Sequence, residues 1–258
     1  MTAFGPMESR FRELRAEGRK LIVPYLTGGL PGWQDAVRAA VAAGADGVEI
    51  GLPFSDPVMD GPVIQQASQR ALDAGANYLS VMEEAADLDV GVPLAVMCYY
   101  NTIHRAGHRR FAKALIDGGV VAAIVPDLPL EESEPWTRAA DDAGIETVML
   151  AAPTAPDERL PRIAARARGF VYSVGLLGVT GERAELASTA VALAARLKAV
   201  TDVPVLIGVG VSNAEQAAQA VTVADGVVMG SAVMHALLDH GPDAVESLIA
   251  DVRSALGT

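Results

Sequence analysis

GVEIGLPFSDPVMDGPVIQ (residues 47–65) reads as one structural unit: a buried strand, a loop, and the opening of a helix. Val48, Ile50 and Leu52 form an apolar run around Glu49, while Pro53, Pro57, Gly61 and Pro62 punctuate the stretch that holds Asp60. With the residues before it, the unit begins AGADGVEI (43–50), and it has echoes at DGGVVAAIV (117–125) and TVADGVVMG (222–230). Each time, a glycine or polar cluster ends a helical stretch just before a buried strand.

The same alternation runs along the whole chain. A helical stretch at 8–17 precedes any strand. Strand candidates follow at 21–27, 47–52, 93–99, 121–126, 147–152, 170–174, 203–209 and 226–229. Helical stretches are expected at 33–43, 63–74, 78–86, 109–117, 132–143, 157–167, 188–199 and 213–223, and a last one at 243–256. Eight strands that each lead into a helix imply a parallel sheet closed on itself, an α/β fold of the (β/α)8 TIM-barrel type with an extra N-terminal helix. An open doubly wound sheet is the alternative, but no GxGxxG follows the first strand. No Pro-rich linker divides the chain, so residues 1–258 are expected to form a single barrel domain.

Composition narrows the function classes. The 258 residues are 51% hydrophobic but only 5% aromatic, so the core is mostly Ala, Val, Leu and Ile. A formal net charge of -12, from 20 Lys and Arg against 32 Asp and Glu, argues against a nucleic-acid surface. An anionic substrate would then need local dipoles to hold it. The single cysteine, Cys98, excludes an internal disulfide and fits a reducing compartment. No apolar run reaches membrane-spanning length and no signal-peptide core is present, which leads to the expectation of a soluble, cytoplasmic protein.

In a barrel, chemistry gathers at the C-terminal ends of the strands. Glu49, on an apolar strand, should have a raised pKa, whereas Asp60, in a loop, should stay ionised. Two acids in contrasting environments suit proton transfer, although a salt-bridged strand residue and a plain turn residue would look the same in sequence. Glycines follow three successive strands: Gly175 to Gly181, Gly208 and Gly210 before Ser212 and Asn213, and Gly230 before Ser231. Backbone amides at adjacent helix N-termini can cup a phosphate there. Lys20, Lys113 and Lys198 all lie away from strand C-termini, which disfavours Schiff-base chemistry. His104 and His108 have the i, i+4 spacing of metal ligands, but Gly107 interrupts them, and a solvent-facing pair is expected. Carboxylate acid–base work on a phosphorylated substrate, without metal, remains.

The residues also resemble a known family. PYLTGGLP (24–31), VEIGLPFSDPVMDGPVIQ (48–65), MCYYN (97–101), PDLPLEES (126–133), GVTG (178–181), IGVGVSN (207–213) and DGVVMGSA (225–232) are similar to motifs of the tryptophan synthase α subunit, the indole-3-glycerol-phosphate lyase family. The resemblance implies retro-aldol cleavage of indole-3-glycerol phosphate to indole and glyceraldehyde 3-phosphate. It implies Glu49 as acid/base and Asp60 as acceptor of the indole N–H. Thr180 would bond to Asp60 when a lid closes, and Tyr172 would lie near Glu49. Gly181, Gly210, Gly230 and Ser231 would bind phosphate, and Tyr25, Tyr99, Leu128 and Ala152 would line the indole pocket. For Leu128 and Ala152, ordinary core packing is the competing explanation.

By the same resemblance the chain needs no cofactor of its own, with PLP confined to a partner β subunit in an αββα complex. Pro53 and Asp56 fall in a loop implicated in β contacts. Leu176 and Leu177 replace a lid arginine, Leu30 replaces an aspartate, and Thr102 replaces a proline. A stand-alone lyase and a catalytically silent regulatory partner of a β subunit are the competing functions.

Overall fold

Parallel strands buried on both faces need helices over them, and the chain supplies one after nearly every strand. The structure, a computed structural model, describes residues 4–175, 188–208 and 210–257. Helix α1 (Pro6–Ala16) precedes β1 (Leu21–Thr27), α2 (Trp33–Ala42), β2 (Val48–Gly51), α3 (Pro62–Asp73) and α4 (Tyr78–Ala86). Next come β3 (Leu94–Met97), α5 (Tyr100–Ala106), α6 (His108–Asp117), β4 (Ala122–Ile124), α7 (Glu134–Ala143) and β5 (Glu146–Ala151). Then follow α8 (Leu160–Arg166), β6 (Val171–Ser173), α9 (Ser188–Lys198), β7 (Val205–Ile207) and α10 (Ala214–Ala220). The described chain ends with β8 (Gly226–Met229), α11 (Ser231–His240) and α12 (Pro242–Leu256).

The strands pair in sequence order, all parallel, and β8 returns to β1 through Leu21↔Gly226 to Pro24↔Met229, which closes the barrel. One registered row joins Tyr25, Glu49, Ala95, Ala122 and Glu146. Registered neighbours share a face, and because barrel strands are tilted, such a row descends along the axis. It starts beside the catalytic-end loops at Tyr25 and ends at the opposite mouth. There Glu146 accepts the backbone amides of Met7 (2.7 Å) and Glu8 (2.9 Å). A carboxylate at this helix N-terminus fixes α1 as a plug, with Met7 and Phe11 fully buried beneath it.

The seam between the first and last elements is stapled by Arg253 of α12. Its guanidinium donates to Lys20 O (2.8 Å) and Gly44 O (3.0 Å) and pairs with the buried Asp46. Asp46 also accepts from Arg19 Nε (2.6 Å) and from the Ile22 amide (2.9 Å).

The boundaries differ from expectation where local chemistry intervenes. Helix α5 was not foreseen; Gly107, at φ 85°, divides it from α6. The stretches expected as single helices at 132–143 and 157–167 begin instead as 3-10 turns at Leu130–Glu132 and Asp157–Arg159. The histidines are not a solvent-facing pair. His104 is exposed, but His108 is half-buried, stacked on Tyr100 (5.9 Å) and hydrogen-bonded to its hydroxyl (3.1 Å). Cys98 is a buried free thiol. Among the described residues no helix is long and apolar enough to cross a membrane.

Arg253→Leu should destabilise the fold by about 3 kcal/mol, because it removes a partner from a buried carboxylate. Urea denaturation measures this; a change below about 0.5 kcal/mol would contradict the staple.

Candidate active site

Glu49 sits on β2, one residue from Ile50 and Val48, which pack outward, so its own side chain turns into the barrel. It is 3% exposed, and among the described residues nothing hydrogen-bonds its Oε2. Burial first, and the Asp60 charge second, push its carboxyl up to about 8. A carboxylic acid held there is protonated at neutral pH.

Asp60 lies in the loop from β2 to α3, immediately before the Gly61 cap of α3. Asp60 is expected to stay ionised, yet its place in a loop does not leave it in solvent: it is 4% exposed. Burial pushes its carboxyl up to about 6, opposed by a hydrogen bond from Tyr99. The order nonetheless holds. At pH 7 Asp60 is mostly ionised while Glu49 is mostly protonated.

Tyr25 and Tyr172 face the same interior. Burial raises both phenols, and the Asp60 charge adds to this for Tyr25, as the Glu49 charge does for Tyr172. Two glycines make room for them. A Cβ on Gly51 would fall on the Tyr25 ring, and one on Gly208 would fall on the Tyr172 ring. The Tyr172 hydroxyl donates to Gly208 O at 3.4 Å.

The cavity has two lobes that meet at Glu49, Asp60, Met97, Tyr172 and Gly208. The larger, about 540 Å³, is mainly apolar, with Ile124, Leu128, Val148, Leu150 and Ala152 in its wall. The smaller, about 60 Å³, is bounded by Tyr25, Gly210, Gly230 and Ser231. Gly230 caps the ten-residue α11, whose first turn begins at Ser231. Free amides and the positive end of the helix dipole suit an anion there. The site can therefore hold an apolar ring on one side and a phosphate on the other, with a proton donor and an anion between them.

The sequence-predicted residues Glu49, Asp60, Tyr25, Tyr172, Gly210, Gly230, Ser231, Leu128 and Ala152 are brought together by this cavity. Tyr99 is not in the wall of either lobe; it stands behind Asp60. Thr180 and Gly181, with Leu176 and Leu177, lie outside the described residues. Sequence reading missed Ile124, Val148 and Leu150, although period-two alternation within β4 and β5 points them inward with Ala122 and Glu146. Among the described residues no cluster of three His, Cys, Asp or Glu could hold a metal ion.

The chain is similar to known proteins over nearly its whole length. The family described as "Tryptophan synthase alpha chain" matches residues 11–255. The chain is 45% identical over 252 residues to the tryptophan synthase alpha chain of Streptomyces coelicolor, covering 94% of this chain and 93% of that one. It is 43% identical over 256 residues to that of Thermobifida fusca, covering 96% and 93%. Among solved structures it is similar to Mycobacterium tuberculosis tryptophan synthase, with a TM-score of 0.91 at 35% identity, covering 98% of this chain and 99% of that one.

Burying an acid has a stability consequence. Glu49 keeps its proton to about 8 when folded but loses it near 4.5 when exposed. Its contribution to stability is therefore whole below 4.5 and is lost as pH rises toward 8. Glu49→Gln should escape that loss, so its stability advantage over the parent should grow by about 1 kcal/mol per unit between pH 5 and 8. A difference that does not change with pH, measured by denaturant titration, would contradict the shift.

Proposed function

Because this chain belongs to the tryptophan synthase alpha chain family, whose role is the cleavage of indole-3-glycerol phosphate, we propose that Glu49 and Asp60 perform that cleavage here. The observation that supports this is the buried, unpartnered Glu49 Oε2 at the junction of an apolar lobe and a helix-capped lobe. The apolar lobe takes the indole ring. The phosphate lies against Gly210, Gly230 and Ser231, held by amides and the α11 dipole despite the chain's net charge of -12. Thr180 and Gly181 would complete this grip by resemblance alone.

The chemistry follows from the two protonation states. Protonated Glu49 delivers its proton to ring C3 and so gives an indolenine cation. Ionised Asp60 accepts the ring N–H and stabilises the positive charge that develops. Glu49, now a carboxylate, takes the proton from the hydroxyl on the carbon attached to C3. The C–C bond breaks, its electrons restore the aromatic ring, and the hydroxyl carbon becomes the aldehyde of glyceraldehyde 3-phosphate. Glu49 ends as it began, protonated, and no cofactor enters the balance. The ring itself is the electron sink, so neither a Schiff-base lysine nor a metal is required.

We also infer a β-subunit partner and a cytoplasmic setting. The loop 52–61 carries the exposed Val58 (70%) near exposed Ser55 and Asp56, a surface for a partner to cover while Asp60 stays inside. PLP would belong to that partner.

Glu49→Gln should lower indole release at least 10³-fold while binding of a non-cleavable indolyl alkyl phosphate survives. Unchanged turnover would remove Glu49 from the mechanism. Adding a β subunit should raise the parent's indole release at least tenfold. High turnover alone with no response to β would favour a stand-alone lyase.

A further inference from the structure

Resemblance places Tyr99 among the residues that touch the indole ring. Its contacts point elsewhere. Tyr99 lies two residues beyond the end of β3 and caps α5, whose first amide, Tyr100 N, donates to Asp127 Oδ1 at 2.8 Å. It is 2% exposed and therefore fixed to the barrel frame. Three of its interactions reach one segment, the loop between β2 and α3. Its ring stacks on Phe54 with centroids 5.0 Å apart and planes 22° apart. Its hydroxyl oxygen accepts the Met59 amide at 2.9 Å. Its hydroxyl proton goes to the Asp60 carboxylate. Neither lobe of the cavity includes Tyr99 in its wall.

We propose that Tyr99 is a positioning residue that acts on the reaction through Asp60: it holds the β2–α3 loop against the barrel and aims the ionised carboxylate at the ring nitrogen. This rests on the reading of Asp60 given above. The ends of the loop are tied independently, by Leu52 N to Met97 O (2.9 Å) and by Gln65 Nε2 to Asp60 O (2.8 Å). Those bonds set the backbone at the two ends. Tyr99 reaches both the middle of the loop and the carboxylate.

The hydroxyl also sets the charge. Among the described residues, the titratable groups facing Asp60 are Glu49 from β2, Tyr25 from β1, Tyr172 from β6 and Tyr99 itself, and none of these brings a positive charge. Burial raises the Asp60 carboxyl, and the Tyr99 hydrogen bond is the opposing influence. A donated hydrogen bond favours the charged carboxylate, so its loss moves Asp60 further up.

The test uses the full-length chain and indole-3-glycerol phosphate, with indole release followed from pH 5 to 9. Tyr99→Phe keeps the ring and its Phe54 stack and removes only the hydroxyl. It should lower kcat about tenfold, change KM less than about threefold, and move the acid limb of the pH profile upward by about 0.5–1 unit. The basic limb, set by Glu49, should stay in place. Asp60→Asn runs in parallel. If Asp60→Asn loses activity while Tyr99→Phe keeps the parent kcat and acid limb, the positioning role is wrong and the Asp60 reading stands. A raised KM at unchanged kcat would mean instead that Tyr99 touches substrate. If Asp60→Asn keeps full activity, the Asp60 reading itself fails.

Discussion

A carboxylic acid without a hydrogen-bond donor on one oxygen is an uncomfortable thing to bury, and among the described residues Glu49 is in that condition. The closed parallel barrel makes it tolerable. Strand pairing on both sides of β2 leaves no backbone group free to solvate the side chain, and the helices keep water from the outer face. The group relieves the strain by keeping its proton. What would be a defect elsewhere becomes a proton donor at neutral pH.

Asp60 completes the arrangement by being buried to a lesser energetic extent. Its carboxyl is also pushed up, yet Tyr99 supplies a hydrogen bond and leaves it the more acidic of the two. The separation of the pair thus rests on the heavier burial of Glu49 and on the donor that Asp60 receives from Tyr99. Without that donor the Asp60 carboxyl would lie further up, and less of the anion would be present to meet the ring nitrogen. The two tyrosines in the interior serve the same end, filling space beside the carboxylates with rings that Gly51 and Gly208 admit.

Much of this was legible in the sequence because local patterns controlled it. Apolar runs such as 226–229 and Ala-rich amphipathic stretches gave the strand and helix order, and their alternation gave the closed sheet. Glu49 was readable as buried because its neighbours on the same strand are apolar. Asp60 was not, because a loop residue's burial is decided by what the rest of the chain brings to it, here Tyr25 from β1 and Tyr99 from beyond β3. Helix α5 escaped for a related reason: its first amide is fixed by Asp127 from beyond the end of β4, a contact that no periodicity in YNTIHRA announces. Tyr99 was placed in the pocket wall by resemblance alone; only the placement of Phe54 and Met59 shows which way its hydroxyl points. Gly51 was read only as part of a strand and Gly208 as part of a phosphate cup; their role in admitting a ring is visible only once Tyr25 and Tyr172 are located.

The charge of one side chain in the resting protein decides the mechanism. Carbon-13 NMR of side-chain-labelled glutamate, with Glu49 assigned from its absence in Glu49→Gln, should show that carboxyl titrating near 8 and still protonated at pH 7. A Glu49 carbon that titrates near 4.5, so that the group is already ionised at neutral pH, would contradict it.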